Sequence, residues 1–119
     1  MKRILYVEDN EDTADAVKLI LNNAGFDTKI TSCGKDALKI VREERFDLFL
    51  LDIMLPDMSG WDIFEKLKKK DHAKFAFLSA IPISNERMRE LKKVGVSDYI
   101  TKPFEKDDLV KRVKKIVGK

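Results

Sequence analysis

The sequence predicts an α/β domain in which a doubly wound, five-stranded parallel sheet lies between two layers of helices as a three-layer sandwich. Three observations predict it. Short apolar runs alternate with segments of helical spacing, strand before helix, five times over. Strict alternation of this kind calls for long right-handed crossovers, which put helices on both faces of a parallel sheet. The chain of 119 residues is the length of one ordinary domain, able to bury roughly two thirds of the surface its unfolded form exposes.

The elements follow in order. Ile4 to Val7, Phe46 to Leu51, Phe75 to Leu78 and Tyr99 to Ile100 are apolar enough for buried strands, and the more polar Phe26 to Thr31 suits an edge strand. The first helix sets Ala14, Val17, Ile20, Leu21 and Ala24 on one stripe before Gly25 stops it. A second runs from about Lys35 to Glu44. The third opens with Ser59 as N-cap and Asp62 three residues on, a capping-box pattern that turns Ile63, Phe64 and Leu67 inward. A fourth starts near Ser84 and ends before Gly95. The fifth follows Pro103, with Leu109, Val113, Ile116 and Val117 at i, i+4, i+7 and i+8. No low-complexity linker interrupts the pattern, so residues 1–119 are expected to form one domain, with any output in another protein.

Composition narrows the class. Hydrophobic residues make up 44% and charged residues 38%, and no apolar run approaches the roughly 20 residues of a membrane span. Glu8 and Asp9 interrupt the opening run before it could serve as a signal segment, so a cytoplasmic location without membrane attachment is expected. The lone Cys33 fits a reducing compartment and suggests no catalytic role. A net charge of +3 is small for direct nucleic-acid binding, and the basic stretches Lys66 to Lys70 and Lys111 to Lys115 fall in the last turns of helices, where the dipole favours cations. His72, the only histidine, sits in a polar stretch expected to be a solvated loop.

In an open α/β sheet, ligands bind outside the carboxyl ends of the strands. Glu8 and Asp9 follow the first strand, Asp52 the third, Ser79 the fourth and Lys102 the fifth. Carboxylates about 4 Å apart repel by roughly 1 to 4 kcal/mol per pair, so three of them call for a cation. All-oxygen ligation favours Mg²⁺ or Mn²⁺. Lys102 adds a positive charge and Ser79 a hydroxyl donor, which together describe a pocket for a phosphoryl group in transfer, with Asp52 as nucleophile. Alone, the run Glu8 to Asp12 could simply cap the first helix, Ser79 could end a strand, and Lys102 could be a loop lysine. An acid closing the apolar run Leu48-Phe49-Leu50-Leu51 is harder to explain structurally, because it is costly to bury without a partner.

In Leu5-Tyr6-Val7-Glu8-Asp9, in Leu51-Asp52-Ile53-Met54-Leu55-Pro56-Asp57-Met58-Ser59-Gly60, in Leu78-Ser79-Ala80 and in Asp98-Tyr99-Ile100-Thr101-Lys102-Pro103-Phe104, the sequence resembles the response-regulator receiver family, over essentially the whole chain. The resemblance, nearest to single-domain chemotaxis regulators, implies a (βα)5 flavodoxin-like sheet of order 2-1-3-4-5. It implies that Asp52 accepts a phosphoryl group from the phosphohistidine of a histidine kinase or phosphotransfer protein, in a switch that catalyses its own phosphorylation and dephosphorylation without being an enzyme for other substrates. Asp9, Asp52 and the backbone carbonyl of Met54 would bind Mg²⁺, with Mn²⁺ an alternative and Glu8 acting largely through water. Lys102 and Ser79 would grip the phosphoryl oxygens, and Ser79 and Tyr99 would switch the face of the fourth helix, fifth strand and fifth helix toward a downstream effector protein. A monomer or a weak phosphorylation-dependent dimer is implied. Ser79 stands where Thr is frequent in the family, and Trp61 follows Gly60, a placement from which its fluorescence could report binding.

Two other functions fit less well. An aspartyl phosphohydrolase of the haloacid-dehalogenase kind carries a second Asp two residues after its nucleophile, where this chain has Met54, and no P-loop is present. A receiver fold kept only as a phosphorylation-independent scaffold would not need the full set Glu8, Asp9, Asp52, Ser79 and Lys102. Met54 and Ile81, each two residues past a pocket residue, are apolar and are expected to keep water from an acyl phosphate. Met54→Asn and Ile81→Glu should each speed loss of phosphate from the phosphorylated protein, followed by mass; a lifetime of seconds unchanged by both would refute the shielding role.

Overall fold

The computed structural model describes residues 1–69 and 73–118. Strands and helices alternate as β1 (Arg3–Val7), α1 (Glu11–Asn23), β2 (Asp27–Thr31), α2 (Gly34–Glu43), β3 (Leu48–Leu51), α3 (Gly60–Leu67), β4 (Lys74–Ser79), α4 (Asn85–Lys93), β5 (Val96–Thr101) and α5 (Lys106–Val117). The strands form one parallel sheet in the order β2-β1-β3-β4-β5, as expected for the doubly wound class. The loop expected around His72, and the end of the basic stretch at Lys70, lie outside the described residues.

Alternation along each strand builds two cores. Ile4 and Tyr6, Leu48 and Leu50, Ala76 and Leu78, and Ile100 face the side covered by Val17 and Leu21 of α1 and Leu109 and Val113 of α5. Leu5, Val7, Phe49, Leu51, Phe75, Phe77 and Tyr99 face the side covered by α2, α3 and α4. That second core is rich in aromatics: Trp61 lies 4.3 Å from Phe77 between ring centroids, Phe64 meets Phe75 edge-on at 5.1 Å, and Phe77 lies 6.2 Å from Tyr99.

Several boundaries differ from expectation for physical reasons. Strand β5 starts at Val96 rather than Tyr99, because Ser97 and Asp98 lie at a half-exposed sheet edge that tolerates polar side chains. Phe46 precedes β3 and packs beneath the Arg3 guanidinium, 4.7 Å from its ring centroid. The N-terminus of α2 is capped from outside itself. Cys33 provides no side-chain cap, and the Asp57 carboxylate accepts the Gly34 and Lys35 N–H groups, each at 2.8 Å. Asp57 consequently ionises below the usual aspartate range, held by these backbone donors.

The capping box expected at α3 is present, with Ser59 and Asp62 each accepting a backbone N–H. It ends a tight loop in which Met54 pairs with Ser59 in an antiparallel bridge and the Gly60 N–H donates to the Ile53 carbonyl at 2.8 Å. The start of α3 is thereby pressed against the residue that closes β3. A Cβ on Gly60 would collide with the Asp52 carbonyl, only 2.9 Å from its carbon. Gly60→Ala should therefore destabilise the protein by about 3 kcal/mol, toward the upper end of what overpacking costs, with the shift read from urea unfolding; unchanged stability would show that the loop yields freely.

Candidate functional site

The sheet ladder continues one residue past three strands and carries the candidate residues with it. The Glu8 N–H donates to Thr31 carbonyl at 3.0 Å, the Asp52 N–H to Val7 carbonyl at 3.1 Å, and the Lys102 N–H to Ser79 carbonyl at 2.8 Å. Side chains two apart share a face, so Glu8 continues the side of Tyr6, Asp52 that of Leu50, and Lys102 that of Ile100. All three therefore converge on the side covered by α1 and α5. Ser79 continues the opposite side, that of Phe77, as does Tyr99.

The geometry matches this parity. The Lys102 ammonium lies across two carboxylates, in contact with Glu8 Oε1 and 3.1 Å from Asp52 Oδ2. Glu8 and Asp52 are only 2% and 7% exposed. Asp9 is exposed at the rim, and one carboxylate oxygen from each of Glu8, Asp9 and Asp52 lies within 4.8 Å of the others. Three acids facing one ammonium leave a net negative, all-oxygen pocket, and that donor set fits a small hard cation. The Met54 N–H reaches back to Asp52 Oδ1 at 3.4 Å.

Burial raises the Glu8 carboxyl, but the Lys102 ammonium, the Tyr6 hydroxyl and the Asn10 N–H more than offset this, and Glu8 ionises below the usual range. For Asp52, burial together with the neighbouring Glu8 charge outweighs Lys102 and holds the carboxyl above its ordinary value. Burial pulls Lys102 down, yet the two carboxylates hold the ammonium above its usual range.

Ser79 is buried, and its hydroxyl accepts the Ile81 N–H at 3.2 Å. Tyr99 is buried with its hydroxyl donating to the Ile81 carbonyl, which ties β5 to the turn after β4. Burial pushes this phenol up, with a hydrogen bond to Ser79 pulling the other way. Met54 and Ile81 stand at the rim, 68% and 39% exposed. Trp61 is half-buried between Phe77 and the Arg87 guanidinium of α4.

The acidic run after β1 divides its work. Glu8 and Asp9 enter the pocket, Asn10 caps α1 by accepting the Thr13 N–H at 2.9 Å, and Glu11 and Asp12 occupy the first turn. Two participants escaped sequence reasoning. Tyr6 donates its hydroxyl to Glu8 Oε1 at 2.7 Å, a contact that two-residue spacing in a strand could have suggested. Asp57, which clamps the loop after β3 to α2, gave no local signal, because its partners are 22 and 23 positions away.

An open doubly wound sheet with acids and a lysine gathered at its carboxyl edge defines a class of α/β domains that bind ligands at the strand ends. The chain belongs to the response regulator receiver domain family, whose model matches residues 4–114, and is thus a receiver domain of two-component response regulators. It is 39% identical over 113 residues to the DNA-binding response regulator MtrA of Mycolicibacterium paratuberculosis, covering 95% of this chain and 50% of that protein. It is 34% identical to the cell cycle response regulator CtrA of Brucella ovis, covering 97% and 50%. The chain thus spans about half the length of these curated relatives. The non-phosphorylated HemR receiver domain from Leptospira biflexa superposes with a TM-score of 0.88 at 31% identity, over 100% of this chain and 96% of that one. Among the described residues, no helix is long and apolar enough to cross a membrane.

Because the fold holds Asp52 above the ordinary aspartate range, its ionisation costs stability. That cost is present above the raised value and disappears as pH falls through it, where the folded protein takes up a proton before the unfolded chain does. In metal-free protein, Asp52→Asn should need more urea to unfold than wild type at pH 7, and the difference should narrow on acidification. A less stable variant at pH 7 would contradict this balance of charges.

Proposed function

We propose that the chain works as a phospho-acceptor switch, taking a phosphoryl group onto Asp52 from the phosphohistidine of a histidine kinase or phosphotransfer protein and changing its α4, β5 and α5 face to engage a downstream partner. The observation that carries this proposal is the Lys102 ammonium shared between buried Glu8 and Asp52, with Asp9 beside them. An Asp52 oxygen attacks phosphorus in line, the P–O bond forms as the P–N bond breaks, and the electron pair leaves on the imidazole nitrogen. Lys102 favours the ionised form of Asp52 against the opposing effect of burial, and would then turn to the phosphoryl oxygens as their charge arrives. The Ser79 O–H is the second donor to those oxygens.

Asp9, Asp52 and the Met54 carbonyl would hold Mg²⁺ or Mn²⁺, with Glu8 acting through water. When bound, the ion supplies positive charge that offsets the crowded carboxylates and draws phosphoryl oxygens in. A cleft of about 510 Å³ opens beside Lys102, lined by Thr13 and Ala16 of α1 and by Ala80, Pro103 and Phe104, which suits the approach of a donor side chain. Movement of Ser79 toward the phosphate would break its bond with the Ile81 N–H and disturb the carbonyl that Tyr99 holds. Helix α4 responds readily, since Leu91 is its one buried residue.

Incubation of wild type and Asp52→Ala with phosphoramidate, with and without Mg²⁺, followed by intact mass, tests the chemistry. The expected outcome is a gain of one phosphoryl group that requires both Mg²⁺ and Asp52. No gain, together with failure to form a beryllofluoride complex, would favour the scaffold function instead.

A further inference from the structure

The strand residues nearest Tyr6 on its side of the sheet are aliphatic, Ile4, Leu48, Leu50 and Ile30 among them, and Thr28 beyond Ile4 is, among the described residues, the one other buried hydroxyl in that layer. Packing alone would be served by another aliphatic side chain there. A phenol places a hydroxyl in that fully buried layer, and such a group is costly unless it is hydrogen-bonded. Its bond goes to Glu8 Oε1 at 2.7 Å, a charge-assisted contact with the acidic pocket. Burial, with the hydrogen bond to Glu8 next, holds the phenol far above its usual range, so at neutral pH it is a donor.

Glu8 takes three donors: Tyr6 and Lys102 on Oε1, and the Asn10 N–H on Oε2 at 3.2 Å. Two of them are held by the fold, Tyr6 by the core and Asn10 by the start of α1. Lys102 is the one that must turn away when it grips a phosphoryl group. A carboxylate oxygen buried this deeply and stripped of all its donors would either swing toward another partner or hold the lysine back.

We propose that Tyr6 is a positioning residue of the acidic site, whose hydroxyl fixes the Glu8 carboxylate and keeps Oε1 satisfied while Lys102 transfers from Glu8 to the phosphoryl oxygens. This rests on the phospho-acceptor function proposed above. Tyr6 touches neither phosphate nor cation; it acts through Glu8, setting the direction from which that carboxylate meets the cation's water shell.

Tyr6→Phe removes one oxygen and keeps the ring. Mg²⁺ binding by titration calorimetry and phosphorylation by phosphoramidate are measured on wild type, Tyr6→Phe, Glu8→Gln and the double variant, with urea unfolding alongside. Tyr6→Phe is expected to weaken Mg²⁺ binding about tenfold and to slow phosphorylation, as loss of an orienting partner does elsewhere. The double variant should match Glu8→Gln alone, because a residue acting through Glu8 has nothing left to position. Mg²⁺ affinity of Tyr6→Phe within twofold of wild type, or effects that multiply in the double variant, would overturn the proposal and leave Tyr6 as core packing. Should Tyr6→Phe fail to fold, Tyr6→Leu, which packs as its strand neighbours do, carries the same comparison. Wild type that neither binds Mg²⁺ nor takes phosphate would overturn the phospho-acceptor function and this inference together, whereas wild type that does both beside an unaffected Tyr6→Phe would overturn this inference alone.

Discussion

The carboxyl edge of the sheet depends on one ammonium lying across two buried carboxylates. Glu8 and Asp52 stand close enough to repel, and removing the Lys102 ammonium would leave both buried carboxylates uncompensated, at a cost of roughly 3 to 5 kcal/mol. Lys102 comes from the far end of the chain, 94 positions beyond Glu8, and reaches them because β5 continues its ladder through the Ser79 carbonyl. Asp9 adds a further negative charge at the rim. The pocket is therefore short of positive charge, and its all-oxygen donor set fits a small hard cation.

The two faces of the sheet divide the work through strand alternation. Glu8, Asp52 and Lys102 share the side of α1 and α5, where Tyr6 connects the pocket to a largely aliphatic core. Ser79 and Tyr99 project to the other side, where aromatics link β4 and β5 to Trp61 and, through Arg87, to α4. The two sides are joined at β4, whose last residue, Ser79, accepts from the Ile81 N–H while Tyr99 donates to the Ile81 carbonyl. The aromatic layer is tightly packed, whereas α4 rests on it through a single buried residue, Leu91.

Much of this was legible in the sequence because apolar patterning is a local signal. The runs Ile4 to Val7 and Leu48 to Leu51 identify central strands, and Ser59 with Asp62 identifies the start of α3. The polar start of β5 was not legible, because Ser97 and Asp98 are tolerated only through their place at a sheet edge. In the candidate site, the convergence of Glu8, Asp9, Asp52 and Lys102 followed from the rule that strand ends gather. The pairing of Lys102 with Glu8 as well as Asp52, and the grouping of Ser79 with Tyr99 on the opposite side, did not.

What the sequence determined by itself is the class of fold, the order of its elements and the residue types at the strand ends, since each depends on periodicity and adjacency along one chain. What only the tertiary structure decided is which of those residues touch: Lys102 on Glu8, Tyr6 beneath it, Asp57 on the start of α2. The physical reason is that register and strand order set contacts between residues 22 to 94 positions apart. Even the short step from Tyr6 to Glu8 acquires its meaning from the burial that neighbouring strands impose.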